Sequence, residues 1–277
     1  MGDLASGKGD LPTDDLSSGD FQINALKQFV SRHSDFMEVA LSSSDISRIV
    51  LENKLAVVIG VELDNIGNLG VVTSANRVVI SNVDVGANNS MINGATGCDL
   101  LQTATASSLV AEVDRLYSEG VRYIFPIQLV DNAIGGTAAY PPDLFDTANL
   151  YEEGHPWNLI CSTQGDGIGY TYAGGVNLIV STAEQIKLGF SIAVPGPISC
   201  PITLPSGEQS GPGNVNMCGL TPAGPAAIQE MMHNGMLIDV DHMSHASAEQ
   251  TIALAQLFTG AGFPGYPLIV ATIQFVK

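Results

Sequence analysis

GMLIDVDHMS, residues 235–244, decides how the rest of the chain is read. An amphipathic helical pattern runs into Gly235, an apolar run follows, and the run ends in Asp239, Asp241 and His242. Polar side chains at the C-terminal tip of a buried parallel strand are where α/β enzymes keep their chemistry. Two more helix–glycine–strand units flank it. Ahead of it, residues 107–119 repeat Leu109, Val113 and Leu116 at helical spacing, Gly120 stops the helix, and VRYIFPIQ (121–128) reads as a strand. Behind it, a helix over 248–258 with a Ser247…Gln250 capping box leads to YPLIVAT (266–272).

The same logic extends upstream. Ile23, Leu26, Phe29 and Val30 predict a helix over 21–32, and a second helix is expected over 45–53 with Ser43 or Ser44 as its cap. LAVVIGV (55–61) is a continuous apolar run of the kind that a strand buried on both faces requires. It ends at Glu62. The helix before GMLID is expected to be capped by Thr221, with Pro222 in its first position. Strands alternating with helices imply parallel βα units, in either a (β/α) barrel or a doubly wound sheet.

Composition sets the outer bounds. The chain has 277 residues, of which 45% are hydrophobic, enough for one large domain or two small ones. Residues 1–20 are rich in Gly, Ser and Asp and read as a flexible arm; 21–277 form the domain. Two stretches, about 70–105 and 140–215, interrupt the βα pattern. With 28 acidic against 10 basic residues the net charge is −18. That excludes nucleic acid and anionic membrane surfaces as partners, because both are bound by clustered Lys and Arg. No apolar run is long enough to span a bilayer. Cys98, Cys161, Cys200 and Cys218 form no CxxC pair, so free thiols are expected rather than a disulfide framework.

Two side chains stand out chemically. Glu62 is a carboxylate at a strand tip, costly to bury without a partner, and suits a metal ligand, a general base or a helix-capping group. His242 suits a metal ligand, an acid–base group or a hydrogen-bonded loop histidine. Asp239 and Asp241 share a face by strand alternation, and either could orient the imidazole. His33 and His233 read as surface residues, and His245 competes with His242 for its role.

The blocks KLAVVIGVELDNIGN (54–68), GVRYIFPIQLVDNAIGG (120–136) and GLTPAGPAAIQEMMHNGMLIDVDHMS (219–244) resemble consecutive blocks of the renal/membrane dipeptidase family, in its bacterial branch. The resemblance implies a partial TIM (β/α)8 barrel of the metallo-dependent hydrolase type, with about four βα units, and zinc-dependent hydrolysis of dipeptides. It implies that Glu62 bridges two metals, that His242 ligates one of them, and that Asp239 or Asp241 supports the histidine. The departures are as specific. No His-x-Asp pair precedes residue 21, Gln128 stands where the family has a substrate-contacting histidine, and Thr272 stands nearest to a further histidine ligand. A glutamine at 128 can still hydrogen-bond a substrate. The family pattern continues beyond the strand that matches 266–272. The expectation is therefore a truncated, weakly active or inactive dipeptidase-like chain with doubtful zinc occupancy. It would take a small peptide as ligand, and an oligomer would cover its open barrel edges. The alternative is a non-catalytic peptide- or partner-binding remnant of the same fold.

Overall fold

The computed structural model describes residues 14–70, 104–138, 214–259 and 264–270, with short pieces at 149, 157, 159–161, 170–172 and 209–211. The elements in chain order are α1 (Asp15–Arg32), β1 (Met37–Val39), α2 (Ser43–Leu51), β2 (Leu55–Val57), β3 (Ile59–Glu62), α3 (Ala106–Ser118) and β4 (Val121–Phe125), then β5 (Leu159–Cys161), β6 (Tyr170–Tyr172), β7 (Gln209–Gly211), β8 (Asn214–Asn216), α4 (Gly224–His233), β9 (Leu237–Ile238) and α5 (His245–Leu257).

The apolar run 55–61 does become extended chain, but in two halves. β2 pairs in parallel with β1, and after Val58 the chain changes neighbour, so that β3 pairs in parallel with β4. The ladder register shifts between Ile59 and Gly60 at that change. β4 pairs in parallel with β9. A parallel bridge from Asp239 to Ile269 adds the segment expected from YPLIVAT, with Ile269 N donating to Ile238 O at 2.8 Å and Val240 N to Ile269 O at 3.0 Å. Each parallel segment therefore lies beside its predecessor in the chain. A doubly wound sheet reverses its strand order partway; no reversal occurs among the described residues.

The helices lie along one face of this sheet. α3 packs against α4, and α4 against α5. α1 is tied to α3 by Arg115–Asp20 at 2.7 Å and Lys27–Glu119 at 2.6 Å. Between helices and sheet lies one core built of Ile59, Val61, Leu109, Val113, Val121, Ile124, Ile228, Met231 and Ile238. The amphipathic spacing read in 107–119 predicts this burial: Leu109, Val113 and Leu116 are each at most 1% exposed. Gly120 and Gly235 end α3 and α4 at φ 92° and 70°, a left-handed turn that glycine adopts without a Cβ clash.

Local details correct the sequence reading. β1 was not anticipated, because three residues are too few to show alternation. α1 begins at Asp15, inside the stretch assigned to the arm, with Asp14 accepting from Ser17 N at 2.9 Å as its cap. Ser42, not Ser43 or Ser44, caps α2. α4 starts at Gly224 rather than Pro222, although the Thr221 hydroxyl still accepts from Gly224 N at 3.0 Å. α5 is capped by Ser244, and Gln250 leaves the expected box to accept from Leu220 N at 2.6 Å. The strand from Val121 stops at Phe125, since Pro126 has no N–H to continue the ladder. Within the stretch 140–215 the described pieces are antiparallel, β5 with β8 and β6 with β7. The sequence also predicts a helix over 181–188, capped by Ser181 or Thr182, and a loop around His155; these, the segment 71–103 and Thr272 lie outside the described residues. Cys218 is disulfide-bonded and fully buried, against the expectation of free thiols. Such pairing joins positions distant in sequence, and spacing carries no sign of it.

Candidate active site at the strand tips

β3, β4 and β9 end at the same level, and their C-terminal tips carry the candidate residues. Register pairs Gly60 with Tyr123, Glu62 with Phe125, and Tyr123 with Leu237, so these side chains share the face opposite the helices. Gly60 has a steric role there. A Cβ at this position would come within 2.7 Å of Tyr123 Cδ1, so only glycine lets the tyrosine ring lie over β3.

Glu62 and His242, distant in sequence, meet across the tips, with Oε1 and Nε2 3.5 Å apart. The glutamate side chain is 47% exposed and the histidine 20%. The Phe125 ring lies against the imidazole with centroids 5.7 Å apart. His242 itself has φ 69°, in the left-handed region that a Cβ disfavours.

Asp239 is completely buried. Its Oδ2 accepts a short hydrogen bond from the Tyr123 hydroxyl, and its Oδ1 accepts from Asp241 N at 2.9 Å. Its carboxylate thus shapes the turn that carries His242 through the Asp241 backbone. Tyr123 collects the electrostatics of the whole tip. Burial pushes its phenol pKa up, the hydrogen bond to Asp239 adds to that, and the charges of Asp239, Asp241 and Glu62 push in the same direction. The phenol is therefore a firmly held proton donor to Asp239. Sequence reasoning passed over Tyr123. Its one signal was its place two residues before Phe125, on the same face of the strand.

The loop after β4 closes the site from the side. Asn132 organises it: Oδ1 accepts from Ile134 N at 2.9 Å and Nδ2 donates to Asp64 O and Pro126 O at 3.0 Å each. Asp131 Oδ1 accepts from Thr137 N at 2.9 Å and from Asn216 Nδ2 at 2.6 Å. The Thr137 hydroxyl contacts both Gln128 O and His242 O. Gln128, half-buried, is thereby joined through one side chain to the His242 turn. Of the other histidines, His33 stacks between Phe29 and Phe36, His233 is exposed beside Phe258, and His245 pairs with Glu249 at 3.2 Å in the first turn of α5. His245 is thus a helix-surface residue rather than a rival to His242.

Glu62, His242, Asp239 and Asp241 are brought together with Tyr123, and Gln128 is linked to them through Thr137. Among the described residues, no group of three or more His, Cys, Asp or Glu side chains is arranged to hold a metal. Comparison of the chain with protein families, with curated proteins and with solved structures finds no match in any of the three.

Proposed function

We propose that the chain is a metal-dependent dipeptidase-like hydrolase on a partial (β/α) barrel, with zinc held by Glu62 and His242 and a dipeptide or similar small peptide as its ligand. One observation supports this reading above the others: the carboxylate and imidazole stand 3.5 Å apart at the tips of parallel strands. Two donors each about 2.1 Å from a tetrahedral zinc are separated by about 3.4 Å, so the pair fits one edge of a zinc site. A zinc ion there would supply Lewis acidity toward an amide carbonyl.

The chain's own residues have defined parts in this reading. Glu62, open to solvent, orients the incoming water and receives its proton. Asp239, held by Tyr123, fixes the Asp241–His242 turn. Gln128 donates a hydrogen bond to the substrate carbonyl. Phe125 shields one side of the imidazole from water. Two protein donors bind zinc weakly, since structural and catalytic zinc sites use three or four. Turnover is accordingly expected to be negligible.

Titration of the full chain with Zn(II) should show weak binding that Glu62→Gln and His242→Ala each lower by about tenfold or more. A panel of dipeptides should be hydrolysed barely above background. Equal Zn(II) affinity in the wild type and both variants would overturn the reading. The non-catalytic alternative draws support from a different observation: apolar Leu237 and Val270 on and beside the sheet are 43% and 62% exposed. Peptide binding that needs no metal and survives both substitutions would favour it.

A further inference from the structure

His242 stands at φ 69°, in the left-handed region that L-residues adopt infrequently, and its surroundings support it there. What holds it is visible. Its carbonyl accepts from Ala138 N at 2.6 Å and from the Thr137 hydroxyl at 2.9 Å. Just beyond it, Ser244 N donates to Gly136 O at 2.9 Å, so residues 136–138 run antiparallel against 242–244 for one short pairing. Thr137 is the centre of that pairing and is completely buried. Both ends of its peptide are pinned: N donates to the Asp131 carboxylate, and O accepts from Asn216 Nδ2 at 2.9 Å. With its backbone held, the hydroxyl's position depends on χ1 alone, which β-branching and complete burial restrict.

The hydroxyl carries a single proton, yet two carbonyl oxygens converge on it. One belongs to Gln128 and the other to His242. They lie in the turns just beyond two neighbouring strands, three residues past β4 and four past β9, and each supplies a side chain to the site proposed above. A hydroxyl shared between their carbonyls fixes the distance between the two turns. It also opposes relaxation of the His242 backbone, which would swing the imidazole away from Glu62 and Phe125.

We infer that Thr137 is the positioning residue of this site: its hydroxyl clamps the Gln128 and His242 turns together and holds the imidazole against Glu62. The inference rests on the reading of Glu62 and His242 as the functional pair, but its test needs no metal. The full-length chain, metal-free, is treated with diethyl pyrocarbonate, and carbethoxylation of each histidine is followed by peptide mass spectrometry. In the wild type His242 reacts slowly, sheltered at 20% side-chain exposure. Thr137→Val keeps the shape and removes the hydroxyl. It should speed His242 modification about threefold to tenfold, the shift in a local opening equilibrium that one lost hydrogen bond gives. Thr137→Ser restores the hydroxyl and should return the wild-type rate. His33 and His233, on α1 and at the end of α4, should be unchanged and report that the fold is intact.

Equal His242 rates in the valine and serine variants overturn the clamp. If the valine variant unfolds, seen as all histidines accelerating together, Thr137→Ala carries the same comparison without a methyl facing two carbonyl oxygens. If both unfold, Thr137 is a residue of the fold and the positioning role is wrong. Repeating the wild-type reaction with Zn(II) separates this outcome from that of the functional reading. Zinc that fails to protect His242, beside an intact dependence on Thr137, sinks the metal site and leaves the clamp standing.

Discussion

Beyond the register shift at Ile59/Gly60, successive side chains of β3, β4 and β9 point to opposite faces, and the two faces have opposite fates. Toward the helices stand Ile59, Ile124 and Ile238, each at most 1% exposed. On the other side stand Glu62, Tyr123, Phe125 and Leu237, and Leu237 is 43% exposed. One face is a core, closed by α3 and α4. The other carries the polar groups and remains open to solvent. A strand that serves both must put hydrophobic and functional residues one position apart, as VRYIF does: Tyr123 reaches Asp239 while Ile124 is sealed among the helices.

The largest effect should come from the closed face. Ile124→Ala removes a side chain with no solvent exposure from a packed core and should cost about 2–5 kcal/mol of stability, read by urea unfolding. A loss below about 1 kcal/mol would mean that the helices do not seat on the sheet as described, and the contrast between faces would collapse.

How much of this was legible in the sequence follows the same division. The closed face announces itself through continuous apolar runs and helical periodicity, and both glycine stops predicted from spacing are left-handed turns. Glu62 and His242 could be placed at strand tips for the same reason. Their meeting at 3.5 Å is a tertiary fact, set by which strands are neighbours. Tyr123 and Thr137 were invisible because their significance lies in partners far along the chain, Asp239 for one and His242 for the other. The caps of α2, α4 and α5 were each displaced by one to three residues. Tertiary bonds compete for capping hydroxyls; the Thr221 hydroxyl, bonded to Ala133 O at 2.7 Å, is such a case.

An intermediate effect is expected between the faces. Tyr123→Phe leaves one oxygen of the fully buried Asp239 without its donor and should cost about 2 kcal/mol at neutral pH. The dependence on pH has a definite sign. The phenol pKa lies above its ordinary value of 10.0 in the folded chain, chiefly through burial, so the folded state holds this proton more tightly than the unfolded state. That contribution is complete below pH 10 and is lost as pH rises from there toward the raised value. The wild type's advantage over the phenylalanine variant should therefore shrink above pH 10 in paired thermal melts. Tyr266, pushed up to about 12 by burial, is common to both chains and cancels in the difference. A gap that is constant from pH 7 to 11 would show that the Tyr123 hydroxyl is not held by Asp239.

The smallest effect belongs to the open face, and it probes the contrast most sharply. Leu237 pairs in register with Tyr123 but points into solvent. Leu237→Ala should change stability by no more than about 0.5 kcal/mol, within the range of ordinary surface substitutions. It gives up little buried area and leaves Ile238, its neighbour on the closed face, untouched. The measurement is informative because the two possible outcomes differ in kind. A change near zero, independent of protein concentration, means that this face is solvated and that the strand-tip groups are reached through water. A loss of 1 kcal/mol or more that shrinks on dilution would mean that a second copy covers the face, since dilution removes the stabilisation by association from the wild type as well. The open face would then be an interface, and Glu62 and His242 would have to be reconsidered as residues at its rim.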